Sequence, residues 1–327
     1  MIYGGLLKEN ENTSKINLKI FYVKRVLRIM PAYYLCILIS YFQTQGSYKF
    51  FDKISNPSAA DIANHERLGR VLSNSWGDFF YISNYFRDRL FEFGWSLSIE
   101  EQFYLVIPPL SLFLLFKVTA NARRSILVIL FILPLIFRIV YYFWGIHRLS
   151  IEVHTETRFD FLILGMLIAE LTYWKPQFFK NSNIKTDLLF SFCIIVSLFF
   201  AFQQRRSQVN LIFVFTLFQL GFGSLLMATL IEGSFWNKIF GLFIFRPIAR
   251  VSYTMYLWHG GLSGTILFLF YGQNNPELKN LGTFLLIGLF TSVSVFLLCI
   301  PIFYVIERPF LILKDLLVRR IKVSSDL

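Results

Sequence analysis

Eight stretches of this chain are apolar over lengths that suit a bilayer crossing: Leu27–Tyr41, Ser96–Phe116, Ile126–Trp144, Phe159–Trp174, Leu188–Phe202, Leu211–Ile231, Val251–Tyr271 and Leu281–Ile306. A helix rises about 1.5 Å per residue, so about 20 apolar residues match the ~30 Å hydrocarbon layer. Leu27–Tyr41 and Phe159–Trp174 are short of that and need flanking residues to complete a crossing. Backbone polar groups in lipid must bond within their own segment, which favours helices. Composition agrees: 55% of the 327 residues are hydrophobic and 16% charged, with a mean hydropathy of +0.56. Those values exclude an ordinary soluble domain. The expectation is an all-α polytopic membrane helix bundle of about eight transmembrane helices, forming a single domain over residues 1–327.

An even number of crossings puts both ends on one side. Lys and Arg are in about twofold excess on the connections that share that side, which places both termini in the cytoplasm of a multi-pass inner-membrane protein. The net charge of +12 then belongs mainly to cytoplasmic faces, and nucleic acid is not expected as a partner. The largest extramembrane piece is an outer loop from about Phe42 to Gly94, in which Asn56-Pro57-Ser58 and the polar run after it read as turn and loop. Cys36, Cys193 and Cys299 lie inside apolar runs without metal-binding spacing and read as small buried side chains. Residues 1–20 lack the apolar core of a cleavable signal peptide.

Trp95-Ser96-Leu97-Ser98-Ile99-Glu100-Glu101-Gln102-Phe103-Tyr104 puts two adjacent carboxylates at the head of an apolar run. A charged group in hydrocarbon costs about 2.5–3.5 kcal/mol on insertion scales, so such residues usually mark a working site. The bland alternative is a helix start at the interface, its serines capping and its glutamates answering the helix dipole. On a helix, Arg25 and Arg28 project from one face with Lys24 beside them. That cluster can fork onto phosphate oxygens, although a basic segment at a membrane edge is also what charge topology alone produces.

Arg158 and Asp160 open a span and, being two apart, do not face each other; each is expected to pair with another helix. Gly165 and Ala169, four apart, allow close helix contact. His259 lies one or two turns inside a span and reads first as a hydrogen-bonded packing residue, second as a proton acceptor. Glu307-Arg308-Pro309 reads as a helix stop, with Glu307 turned toward Arg25 or Arg28. His65, His147 and His154 are scattered without ligand spacing, and no metal site is expected.

Four segments in this order resemble the membrane acyltransferase family 3, the type that O-acetylates bacterial surface glycans and nodulation factors. They are Arg25–Tyr34, the WSLSIEEQFY segment, TRFDFLILGMLIA from Thr157, and ARVSYTMYLWH from Ala249 with the terminal ERPF from Glu307. The resemblance implies a bundle of about ten helices that moves an acyl group, commonly acetyl from acetyl-CoA, onto a sugar hydroxyl of a surface glycan or lipid-linked saccharide. It places Arg25 and Arg28, with Lys24, at the acyl-CoA donor and Glu100 in the chemistry, with His259 a weaker catalytic candidate. Trp95, Glu101, Tyr104, Arg158, Asp160, Glu307 and Arg308 fall on structural or substrate-facing positions. It implies no bound cofactor; the acyl-CoA is a donor substrate, and membrane lipid is the other partner.

Family members carry two earlier helices with an arginine and the histidine generally assigned as catalytic. Met1–Glu9 resembles the tail of the second of these, so the chain is expected to be amino-terminally truncated and impaired in catalysis. Two rival readings remain: a transporter or flippase for lipid-linked glycans, and an inactive remnant. The absence of any internal repeat weighs against the transporter.

Overall fold

The computed structural model describes residues 2–13, 16–203, 208–272 and 281–325, and every regular element among them is helical. In chain order the helices begin with α1 (Ile2–Thr13), α2 (Leu18–Asp52), α3 (Ala59–Asn74), α4 (Trp76–Phe79), α5 (Gly94–Leu110) and α6 (Ala120–Phe143). Next come α7 (Arg148–Val153), α8 (Thr155–Arg158), α9 (Asp160–Trp174), α10 (Pro176–Lys180) and α11 (Ile184–Gln203). The last five are α12 (Gln208–Leu230), α13 (Phe235–Phe240), α14 (Phe245–Tyr271), α15 (Leu281–Ile302) and α16 (Arg308–Ser325). Arg205, Arg206 and Lys279, which entered the charge asymmetry, lie outside the described residues.

The chain is an all-α membrane protein, with helices over all eight apolar runs. Among the described residues, five segments are long and apolar enough to cross a membrane: Leu18–Asp52, Ala120–Phe143, Ile184–Phe202, Ile212–Leu230 and Gly282–Ile321. The other three runs fall short for physical reasons. Helices α5 and α9 have 17 and 15 residues. The centre of α14 holds His259, Gly260, Gly261, Ser263 and Gly264, which dilute its hydropathy.

Two stretches differ from the sequence expectation. Helix α2 runs for 35 residues, about 50 Å at 1.5 Å per residue, and so outlasts any bilayer crossing. Beyond it, the polar run expected as loop is α3, started by a reciprocal cap: Asp61 N donates to Ser58 Oγ at 3.2 Å and Ser58 N donates to Asp61 Oδ2 at 2.9 Å. The second difference is at Glu307-Arg308-Pro309, which does not stop the helix. Proline lacks an N–H and clashes with the carbonyl four residues back. A π-helical turn over Phe303–Glu307 absorbs that mismatch, and α16 continues with Pro309 in its first turn. Another π turn, Ser111–Leu115, follows Pro108-Pro109 in α5.

Two compact units divide the described chain, one formed by residues 1–16 and 74–242 and the other by 17–73 and 243–327. The first unit packs α1, α5, α6 and α9 around Tyr3, Ile107, Leu115, Leu127, Ile163 and Met166. Helices α11 and α12 lie together, with α12 also against α6 and α9. The close approaches are made by α12 glycines rather than by Gly165, around which a Cβ meets open space. A Cβ on Gly221 would stand 3.0 Å from Leu198, and one on Gly223 2.9 Å from Leu164. Ala169 is buried in the core as expected.

In the second unit, α2 packs on α14 and α16, and Ile266, Val295 and Cys299 join α14 to α15. Cys36 and Cys299 are buried, Cys193 is half-buried, and all three are free thiols.

Candidate functional site

Helix α8 ends at Arg158 and α9 begins at Asp160, and the two charges that flank Phe159 find different neighbours. Asp160 turns inward. Its Oδ2 accepts from Arg138 Nη2 of α6 at 2.8 Å, with the two side chains 1% and 0% exposed. Such a pair is tolerable in a dry interior only because each charge offsets the other's lost hydration. Arg158 turns the other way, its guanidinium 3.8 Å from the centroid of Phe215, 4.8 Å from Phe161 and 5.5 Å from Trp95. Each charge therefore finds its own neighbours on other helices, as the spacing required.

Arg158 and Trp95 line one cavity of about 520 Å³ in the first unit, together with Arg89, Glu92, Glu152 and Phe215. Arg158 Nη1 is buried and has no hydrogen-bond partner among the described residues. A guanidinium N–H in that state favours an incoming oxygen, since an unmet buried donor costs about 1–3 kcal/mol. Glu152 is held by Arg148 Nε at 2.8 Å across one helical turn. Burial pushes the Arg89 guanidinium below its ordinary range, an effect that Asp78, Glu92 and Asp88 partly offset. Beneath Arg89, Asp78 is fully buried; its Oδ2 accepts from Leu90 N at 2.9 Å. Burial raises that carboxyl to about 6 despite the opposing hydrogen bonds.

The WSLSIEEQFY segment divides its duties along α5. Trp95 faces the cavity. Ser98 Oγ and Ser83 Oγ are 3.1 Å apart, and Gln102 Nε2 donates to Tyr81 O at 2.8 Å and Asn84 Oδ1 at 3.0 Å. Thr155 Oγ1 donates to Gln102 Oε1, so the segment ties α8 and the 74–94 region together. Tyr104 OH donates to Glu100 Oε2 at 2.9 Å, one turn along the same helix. Glu100, Glu101 and Tyr104 do not line the cavity.

A polar cluster that no sequence motif marks lies beside the cavity. Glu156 accepts from the hydroxyls of Tyr141 and of Tyr85, the latter at 2.9 Å, and its Oε1 is 3.2 Å from His154 Nδ1. Burial alone would raise its carboxyl, but these hydrogen bonds outweigh burial and hold it down at about 2. A second missed network ties α1 to α9 and α6. Glu170 accepts from Tyr3 OH at 2.7 Å and from Arg123 Nη2 at 3.2 Å. No spacing rule links residues 167 positions apart.

The remaining candidates lie in the second unit. Lys24 and Arg28 are exposed on α2, while Arg25 is half-buried with its guanidinium 5.8 Å from the Phe21 ring. Glu307 is buried, accepts from Thr254 Oγ1 at 2.6 Å, and lies within electrostatic reach of Arg28. The expected basic neighbour is thus Arg28, with a threonine as the direct hydrogen-bond partner. Arg308 sits 4.9 Å from the Tyr304 ring. His259 Nδ1 is 2.7 Å from Tyr256 O and must be the donor there, the arrangement of a packed histidine. Among the described residues no three His, Cys, Asp or Glu side chains converge as a metal ion would need.

A family profile described as an acyltransferase domain matches residues 1–304. A Staphylococcus aureus (strain COL) protein provisionally named an O-acetyltransferase is 30% identical over 296 residues, covering 79% of this chain and 43% of its own length. The O-acetyltransferase OatA of Staphylococcus aureus (strain NCTC 8325 / PS 47) is 27% identical over 287 residues, with the same two coverages of 79% and 43%. The chain thus spans less than half the length of these curated relatives. No solved structure matches.

Proposed function

The chain belongs to the acyltransferase domain family, and from that premise we propose that it is a membrane O-acetyltransferase using acetyl-CoA or another acyl-CoA as donor. The acceptor is a sugar hydroxyl of a surface glycan or lipid-linked saccharide. The observation that carries this reading is the cavity at Arg158, which combines aromatic faces, two carboxylates and a buried guanidinium N–H awaiting an oxygen. Sugars offer apolar C–H faces to rings such as Trp95 and hydroxyls to charged groups at the edge, and few other ligand classes use both.

The donor is assigned to the basic face of α2. Arg25 and Arg28, with Lys24 beside them, supply forked and point charges suited to the phosphates of coenzyme A. Glu307 and Arg308 flank that face as structural residues. The base that activates the hydroxyl contributes roughly 10²–10⁴-fold in such reactions.

The test is incorporation of radiolabelled acetyl from acetyl-CoA into the glycan fraction of membranes containing the full chain. Incorporation above that of membranes lacking the chain supports the reading. Translocation of an unmodified lipid-linked glycan without incorporation would establish the transporter instead, and neither activity would establish the remnant.

A further inference from the structure

Every residue that lines the Arg158 cavity belongs to the first unit, and the lining is two-sided. All of its charged side chains come from residues 89–95 and 149–161, whereas the wall supplied by α12, with Val214, Phe215, Phe218 and Phe222, is wholly apolar. Phe215, Phe218 and Phe222 are three and then four positions apart and so share one face over about 10 Å of helix. That face belongs to a segment, Ile212–Leu230, long and apolar enough to cross a membrane. Phe218 stacks on Phe222 at 6.1 Å, and Phe222 is 51% exposed, so the stripe continues from the cavity to the outer surface of the helix.

On the charged side, depth separates the two signs. Glu92 is exposed, and Glu152, 31% exposed, is engaged by Arg148. The guanidinium groups carry the buried atoms: Arg158 Nη1 and Arg89 Nη1 both lack a hydrogen-bond partner among the described residues. Asp160, the acid nearest to Arg158 in the chain, is already bonded to Arg138. Solvated carboxylates weigh little, but a buried cation with unmet N–H groups favours an anionic oxygen over a neutral hydroxyl. Arg158 also stands between the two sides of the cavity, its guanidinium 5.5 Å from Trp95 and 3.8 Å from Phe215.

We propose that this cavity recognises a lipid-linked saccharide by the phosphate that joins its sugar to its hydrocarbon chain. The phosphate sits on Arg158 and Arg89, the sugar lies toward Trp95, Glu92 and Glu152, and the chain leaves along Phe215, Phe218 and Phe222. With Arg158 between the Trp95 ring and the phenylalanine stripe, the three zones follow the bonded order sugar–phosphate–chain. A volume of about 520 Å³ suits the head group, and the chain, too long for it, follows the stripe into hydrocarbon. This rests on the placement of the acceptor in this cavity, made above, and narrows the acceptor to the lipid-linked saccharide. A finished glycan without a lipid phosphate would leave both guanidinium groups and the stripe unmatched.

The experiment measures equilibrium binding of radiolabelled polyisoprenyl phosphate to the full chain in phosphatidylcholine nanodiscs, without acetyl-CoA, so that it is decided separately from acyl transfer. The competitors are glucose 1-phosphate, which lacks the chain, polyisoprenol, which lacks the phosphate, and phosphatidylglycerol, an ordinary two-chain anionic lipid. Each is expected to compete about 10-fold or more weakly than unlabelled polyisoprenyl phosphate. Arg158→Gln should weaken binding on the order of 10–100-fold, the worth of one or two charge-assisted hydrogen bonds. Phe222→Ser, at an exposed position, should weaken it about 5-fold through lost apolar contact. Equal competition by polyisoprenol or phosphatidylglycerol overturns the proposal. Unaltered affinity in Phe222→Ser overturns it too, even if Arg158→Gln fails to fold. Selective binding without acetyl incorporation in the assay above would keep this site and overturn the transfer reading alone.

Discussion

The Arg138 guanidinium donates to the Asp160 carboxylate at 2.8 Å, and neither side chain is more than 1% exposed. This bond joins the last third of α6 to the first turn of α9 and so fixes where Arg158, two residues earlier, must stand. Removing one partner strands the other charge. Asp160→Asn or Arg138→Leu should lower stability by about 3–5 kcal/mol, whereas Arg138→Leu with Asp160→Leu should recover most of the loss. Unfolding midpoints of the detergent-solubilised protein would show this; equal losses in the single and double variants would contradict it.

Arg158 offers a planar guanidinium 3.8 Å from the Phe215 centroid. Lysine keeps the charge but not the plane or the fork. Arg158→Lys should therefore raise the KM for the saccharide acceptor about 10-fold, on the basis of ~1–2 kcal/mol for a desolvated cation–π contact and its hydrogen bond. Its unfolding midpoint should move little. An unchanged KM would remove the cavity from the acceptor site.

On α2, Arg25→Ala combined with Arg28→Ala should weaken acetyl-CoA binding by roughly 10–100-fold, the worth of one or two charge-assisted hydrogen bonds. Binding of labelled acetyl-CoA to detergent-solubilised protein, repeated at two salt concentrations, is the readout. The loss should shrink as salt rises, because phosphate recognition is screened. Unaltered binding would relocate the donor.

Asp78 predicts a pH dependence of opposite sign to the usual carboxylate. Its folded value, about 6, lies above the ordinary 3.8, so between those limits the folded state holds a proton that the unfolded state has lost. Stability from this group is fully present below 3.8 and is lost as pH rises through about 6. At about 1.4 kcal/mol per unit the swing is about 3 kcal/mol. Glu156, depressed from 4.5 to about 2, contributes in the ordinary direction: its stability is present above 4.5 and lost as pH falls through about 2. Unfolding midpoints between pH 4 and 7 should thus fall as pH rises, and Asp78→Asn should flatten that trend. A trend equally steep in Asp78→Asn would assign it elsewhere.

Local chemistry made much of the fold legible. Apolar runs of bilayer length dictate helices because lipid offers the backbone no other partner, and all eight runs are helical. The cap at Ser58-Ala59-Ala60-Asp61 was equally local and could have revealed α3, but the polar composition around Asn56-Pro57 masked it. At Pro309 the residue type suggested a stop. Whether a helix ends at a proline or slips through a π turn depends on the packing that follows, which composition does not carry.

What the sequence by itself determined was therefore the class of fold, the family, and the demand that Arg158, Asp160 and Glu307 each find company away from hydrocarbon. Their partners were decided by tertiary structure: Arg138 for Asp160, Phe215 for Arg158, and Thr254 for Glu307. Glu156 gathered His154, Tyr85 and Tyr141 in the same way, across separate helices. The physical reason is one of range. Helix formation and hydrophobic length are written in neighbouring residues, whereas a buried charge is satisfied by whichever helix the packing of side chains brings beside it.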